Sequence, residues 1–486
     1  MSATSRATTG IDGLDDILHG GFMPRRLYLV EGMPGSGKTT LAFQFLLEGV
    51  RRGEPVLYVT LSETKEEIRG VAASHGWSLD GIAIRELMGA QERFQPGEDY
   101  TVFHPSEVEL SETTKKIVAH VDETRPTRVV FDSLSELRLL AGGPLHYRRQ
   151  ILALKQYFAG QHCTTLLLDD ISPTQHDLQV QSIAHGALLL EHTLPGFGMP
   201  RRRLSVIKYR GSDFRGGYHD YVIRRGGITV FPRLVAAEHR RESSRTRMRS
   251  GLESLDALLG GGLEQGTSTL IQGAAGTGKS TISAFFAARA AERGEHATLF
   301  VFDESLNTLF RRMSGVNVDL REHVRAGRMR VNQVDPAELS PGEFAHDVRR
   351  AVEQDGSRIV VIDSLNGYLN SMPDERFLIL HLHELLTYLG QHGVATVMVA
   401  AHQGMLNRDM SGPFDASYLA DAVVLLRYFE AEGEVRQALS VVKMRGGEHE
   451  RSLREFSMKG GRISVGEPLR DYRGVLTGVP EKQLRT

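Results

Sequence analysis

Two hydrophobic patterns alternate along this chain, and each predicts a kind of element. Short, nearly continuous apolar runs occur at Leu27 to Val30, Val56 to Leu61, Arg128 to Asp132 and Thr164 to Leu168. They return at Thr269 to Ile271, Ala297 to Phe302, Arg358 to Asp363 and Ala395 to Ala400. A run that is apolar on both faces predicts a strand covered on both sides, as in a parallel sheet. Between the runs, Lys38 to Arg52, Tyr147 to Phe158, Lys279 to Arg293 and Arg376 to Leu389 carry apolar positions at helical spacing. The helices after Lys38 and Lys279 stop at Gly53 and Gly294, where a C-terminal glycine belongs. Strand, helix, strand is a βαβ unit, which implies parallel pairing and right-handed crossovers. Each half closes with alternating segments, Leu204 to Gly211 and Leu439 to Gly446, which predict antiparallel strands. The expected fold is therefore α/β, in two tandem domains, each a mainly parallel sheet flanked by helices with antiparallel strands at its C-terminal end.

The duplication is explicit in the chemistry. Gly32-Met33-Pro34-Gly35-Ser36-Gly37-Lys38-Thr39 reappears as Gly273-Ala274-Ala275-Gly276-Thr277-Gly278-Lys279-Ser280, each copy between an apolar run and a helix. That context is the one a phosphate-binding loop requires. The glycines let amide N–H groups and a helix N-terminus converge on a polyphosphate. Lys38 and Lys279 would reach the β and γ phosphates, and the hydroxyls of Thr39 and Ser280 would face Mg²⁺. Thr40 and Thr281 follow within the binding stretch, so the predicted ligands are ATP and Mg²⁺. The segment Thr9 to Phe22 also reappears, as Ser250 to Leu263, at the same spacing of 241 positions that separates Lys38 from Lys279. The domains are placed at 1–237 and 250–486, joined by a basic polar linker at 238–249.

Two acidic positions recur behind the loops. Asp132 and Asp363 each close an apolar run, as a Walker B strand does when its carboxylate holds Mg²⁺. Ser62-Glu63-Thr64 and Asp303-Glu304-Ser305 end the second strand of each half, where an attacking water would be oriented. The same residues also read as helix caps, with Thr64 and Ser305 at the N-cap. Near each end, Lys208-x-Arg210-Gly and Lys443-x-Arg445-Gly set two cations on one strand face.

The composition narrows the partners. A formal net charge of −2 over 486 residues leaves no global basic footprint, which counts against wholesale nucleic-acid binding. The single cysteine, Cys163, precedes an apolar run and reads as a core residue. Met1 to Thr9 has no apolar core, and no apolar run approaches about 18 residues, so a cytoplasmic protein without a membrane span is expected. His381 and His383 lie two apart on a predicted helix and face different ways, which argues against a metal pair. Trp77, after His75-Gly76, reads as packing at a helix end.

Taken together, these residues resemble the KaiC family of circadian-clock ATPases, over about residues 9 to 480. The resemblance implies two RecA-like P-loop NTPase domains and a ring of subunits, normally six, with ATP at the interfaces. It makes Lys38 and Lys279 phosphate ligands, Thr39 and Ser280 magnesium ligands, and Asp132 and Asp363 the Walker B acids. Lys208, Arg210, Lys443 and Arg445 would reach a neighbour's γ-phosphate. The family's adjacent glutamates, of which the first activates water or hydroxyl, become Ser62-Glu63 and Asp303-Glu304 here. Glu63 and Asp303, with Glu304 beside it, are thus the catalytic acids to consider. The family's autophosphorylated Ser-Thr pair aligns with Ser417-Tyr418, leaving Ser417 as the one candidate phosphate acceptor of the pair. The tail after Pro480 is short, and in the clock proteins it is an extended tail that binds KaiA, so dependence on KaiA does not follow. KaiB-like or signalling-kinase partners remain open.

Three readings of function stand at this point. The first is a ring-forming ATPase with serine/threonine autokinase activity in signalling or circadian-type regulation. The second is a RecA/RadA-like DNA-dependent ATPase, which needs basic loops facing the pore. Ala141 to His146 and Asn370 to Glu375 occupy those places without Lys or Arg. The third is a nucleotide-switched interaction platform without kinase activity.

Overall fold

Residues 6–87, 105–171, 178–196, 198–239, 246–370, 375–401, 416–477 and 481–482 are described by the computed structural model of the protein. The basic positions 240–245, most of the loop between Asn370 and Glu375, and the last residues of the tail lie outside them. The chain forms two compact units, Met1–Arg233 and Leu234–Thr486. Leu234 and Ala236 are buried in the core of the second unit, so the division falls there.

The first unit holds strands β1 (Leu27–Gly32), β2 (Val56–Thr60), β3 (Ile82–Glu86), β4 (Arg128–Asp132), β5 (Thr164–Asp170), β6 (Gly186–Thr193), β7 (Arg201–Tyr209), β8 (Tyr218–Arg224) and β9 (Gly227–Phe231). Their order across the sheet is β3-β2-β4-β5-β1-β6-β7-β8-β9. Neighbours are parallel from β3 through β6 and antiparallel from β6 to β9. The second unit repeats this with β10 (Ser268–Gly273), β11 (His296–Val301), β12 (Met329–Gln333), β13 (Ser357–Asp363), β14 (Ala395–Ala401), β15 (Ala422–Ala431), β16 (Glu434–Met444), β17 (Arg454–Lys459) and β18 (Arg462–Pro468). Its order, β12-β11-β13-β14-β10-β15-β16-β17-β18, is the same topology. These are the two RecA-like sheets that the patterns predict.

The unbroken apolar runs follow from burial on both faces. In β1, Tyr28 and Val30 belong to one core cluster, with Phe22, Phe43 and Phe45, while Leu27 and Leu29 belong to the other. Side chains alternate across a strand, so both positions are apolar only where both faces are covered. The insertion ahead of each Walker B strand carries a helix, Pro105–Thr124 in one unit and Pro341–Glu353 in the other. Cys163 is buried and donates to the Pro126 carbonyl at 2.9 Å, and burial pushes its thiol up to about 11. Trp77 stacks on His75 beyond the helix Lys65–His75. No described helix is long and apolar enough to cross a membrane.

Candidate phosphate-binding sites

Both loops follow the C-terminal end of a central strand and open a helix, Lys38–Arg51 or Lys279–Glu292. Gly37 and Gly278 stand at the N-cap with φ of 97°, a left-handed conformation that favours glycine. Space restricts them too: a Cβ on Gly37 would lie 2.6 Å from Ile223, and one on Gly278 2.8 Å from Phe456. Gly32 and Gly273 let their loops leave the sheet beside Leu190 and Leu426. Gly35 and Gly276, with φ of 78° and 79°, form the outer turn. Ser36 and Thr277 are fully buried inside the loops. Ser36 holds its shape through its carbonyl, which accepts from Tyr221 at 2.5 Å, and Thr277 donates to Ala274 at 2.8 Å. Thr40 is buried behind the first loop.

The hydroxyl after each lysine meets the Walker B acid. Thr39 donates to Asp132 at 3.1 Å, and Ser280 donates to Asp363 at 3.1 Å. Burial pushes Asp132 above the usual carboxylate range, opposed by hydroxyl bonds from Tyr58 at 2.6 Å and from Thr39. Asp363 rises to about 6, chiefly from burial, with the Ser280 bond opposing and the Glu304 charge reinforcing. Lys279 donates to the Ala274 carbonyl at 2.7 Å, and burial lowers its ammonium to about 8. Lys38 donates to the carbonyls of Gly32 at 2.9 Å and Met33 at 3.2 Å and to Asp170 at 2.6 Å.

The acids that end the second strands differ between units. Asp303 accepts a hydrogen bond from Ser364, and Glu304 pairs with Arg312, which also donates to Thr281 at 2.8 Å. Lys279, Ser280, Asp303, Glu304, Arg312 and Asp363 line one open cleft of about 240 Å³. In the first unit Ser62 is exposed and Glu63 is half-buried with a buried, unpartnered Oε2. Burial first, then the charges of Asp132, Glu67 and Asp170, raise the Glu63 carboxyl. The caps are also present: Thr64 and Glu67 form a capping box, and Ser305 accepts from the Thr308 amide at 3.3 Å.

The Lys-x-Arg pairs lie elsewhere, on carbonyls of their own unit. Lys208 donates to Gln181 at 2.6 Å and Ala184 at 2.8 Å, and Arg210 to Ser182 at 3.2 Å. Lys443 donates to Ser417 at 2.6 Å and Ala420 at 2.8 Å, and Arg445 to Tyr418 at 2.7 Å. Ser417 is therefore grouped with the second Lys-x-Arg pair, in the turn before β15. Ala141 lies in the short link between the helices Leu134–Leu140 and Pro144–Gly160.

Asp170 and Arg312 are site residues that the sequence reading passes over. Asp170 lies two residues beyond the apolar run that predicts β5, although its register opposite Gly32 puts it at the loop. Arg312 lies on the helix Leu306–Ser314 and meets Glu304, which stands outside that helix ahead of its N-cap Ser305, so no helical spacing links the two in the sequence.

Comparison with known proteins gives the same outcome for both halves. The family model described as "ATPase: KaiC" matches residues 7–235 and again 248–470. The circadian clock oscillator protein KaiC of Parathermosynechococcus lividus is 28% identical over 481 residues, covering 98% of this chain and 88% of that protein. The circadian clock protein KaiC3 of Synechocystis sp. is 27% identical over 480 residues, covering 97% and 94%. The KaiC protein of Synechococcus elongatus is 27% identical over 485 residues, covering 99% and 92%. With a glycine-rich loop facing a strand-end acid, and a family match, in each of two like-folded units, this chain belongs to the KaiC family of ATPases.

Proposed function

We propose that this chain is a ring-forming ATPase, with six copies closing the ring. Each phosphate loop binds Mg·ATP, and the next copy completes the site with Lys208 and Arg210 or Lys443 and Arg445. The observation that carries this reading is the register of the ladders. Lys208 pairs with Ala187 at the start of β6, whereas Gly32 pairs with Leu190 towards its other end. Lys443 pairs with Val423 and Gly273 with Leu426 in the same way. Three residues of strand span roughly 10 Å, and each loop projects onward from its glycine. Cations on one edge of the sheet serve a phosphate beyond the other edge only in another copy, where they would stabilise the transferred phosphoryl group.

The residues present fit magnesium. Thr39 with Asp132, and Ser280 with Asp363, offer the hard oxygen donors this ion takes, and when bound it neutralises charge on the β and γ oxygens. In the second unit Asp303, oriented by Ser364, accepts the proton of the attacking group. In the first, Glu63 takes this part, and burial with the nearby acid charges, by raising its carboxyl, makes it a stronger proton acceptor than an exposed glutamate. Ser417 shares the sheet edge of Lys443, so a phosphoryl group reaches it from the ATP of a neighbouring copy. ADP leaves, and the serine proton passes to Asp303 of the copy that holds the ATP. The clock proteins among its relatives support a role in circadian-type regulation, with partner proteins reading the nucleotide or phosphorylation state.

Mass spectrometry after incubation with Mg·ATP tests this, beside Ser417→Ala and Lys279→Ala. Phosphate on Ser417 that is lost in both variants is expected. Phosphate release with no modified serine would remove the kinase step and leave a nucleotide-switched ATPase.

A further inference from the structure

The two phosphate loops are alike in sequence but not in what their lysines hold. Lys38 is bound to Asp170 at 2.6 Å, with the lysine side chain 8% exposed and the aspartate side chain 42% exposed. The ladders put Ala401 at the Asp170 position of the second unit, since Gly32 pairs with Asp170 and Gly273 with Ala401. Ala401 lines the second cleft and brings no charge.

We propose that Asp170 sets the nucleotide affinity of the first site by competing with the terminal phosphates of ATP for Lys38. The proposal rests on the reading of both loops as ATP sites. The carboxylate is an anion already seated on the ammonium that must meet the phosphates. Its backbone is fixed beside the loop, because Asp170 pairs with Gly32 at the end of β5. ATP therefore enters the first site by drawing Lys38 off Asp170 and by accepting a fixed negative charge nearby. At the second site Lys279 holds the Ala274 carbonyl and no carboxylate among the described residues, so ATP meets it without that displacement. Because Asp170 is partly exposed, screening keeps the effect modest, roughly three- to tenfold in Kd.

Calorimetric titration of the full chain with Mg²⁺ and a non-hydrolysable ATP analogue tests this. In chains carrying Lys279→Ala, which leaves the first site to report, Asp170→Asn tightens binding by about three- to tenfold and Asp170→Glu, which restores the charge, does not. In chains carrying Lys38→Ala, Ala401→Asp weakens the second site by a similar factor. A melting curve for each variant separates misfolding from altered affinity, and the gain expected from Asp170→Asn is one that damage does not produce. Unchanged binding in Asp170→Asn overturns the proposal. Weaker binding overturns it too, as it would mark Asp170 as a ligand of metal or water. If the unmodified chain binds no analogue, the ATP-site reading fails, and this proposal with it.

Discussion

Asp363 and Lys279 move in opposite directions for one reason: burial strips water from both, and each loses stability as an ion. The carboxyl is therefore raised to about 6 and the ammonium lowered to about 8. Both are charged only between those values, since Asp363 gains its proton as pH falls through the lower and Lys279 loses one as pH rises through the upper. Capture of Mg·ATP by the free second site should thus follow a bell, with limbs near 6 and 8. In a Lys38→Ala chain, which silences the first site, kcat/KM should fall about tenfold per pH unit beyond each limb. A flat profile from about pH 5 to 9 would contradict this account. In the first unit Tyr58 gives Asp132 a second hydroxyl donor, and Leu299 has the matching place in the second unit. A donor to a carboxylate favours the charged form, so the acid limb of the first site should lie lower.

At the scale of the element, the same irregularity occurs in both sheets. Pairing slips between Ala187 and Leu188, leaving Ile207 unpaired in β7, and between Val423 and Val424, leaving Val442 unpaired in β16. Ile207 and Val442 are 48% and 45% exposed, and each immediately precedes the lysine of a Lys-x-Arg pair. A bulge re-aims the residues that follow it. Deleting Ile207 should remove the local bend and twist that aim Lys208 and Arg210, with Lys208 still opposite Ala187 and the sheet still formed. Size-exclusion and phosphate-release measurements on that chain should show ATP-dependent assembly and first-site turnover reduced at least about tenfold, with melting little changed. Retention of both would mean that the aim of this pair does not matter. The bulges coincide with a break in alternation, the adjacent apolar pairs Val206-Ile207 and Val441-Val442, which the reading of these segments as alternating passes over. The strands were legible because burial on both faces marks them, and the loops and the acids that close β4 and β13 because each is written twice, at spacings of 241 and 231. Asp170 and Arg312 were hidden by that same reasoning. Their counterparts are Ala401 and Val71, and what one copy does alone leaves no repeated signal.

At the scale of the molecule, sites completed in trans can be tested by mixing. Lys38→Ala removes a loop but keeps the cations, and Lys208→Ala with Arg210→Ala does the converse. Each chain alone should lack first-site turnover. An equal mixture should recover about a quarter of it, the share of interfaces that join an intact loop to intact cations in a randomly mixed ring. No recovery, with mixed rings demonstrated, would exclude cations supplied by a neighbour.

Tyr221 gives such a ring a further property. Its hydroxyl holds the Ser36 carbonyl inside the first loop, and its strand, β8, pairs with β7, which carries Lys208. Loop and outgoing cations are thus two ends of one lever. A shift of the loop when its phosphate leaves would travel through the Tyr221 bond to the hand that this copy extends to the next. Turnover would then run round the circle as a relay, and the tempo of any one site would be set partly by its predecessor.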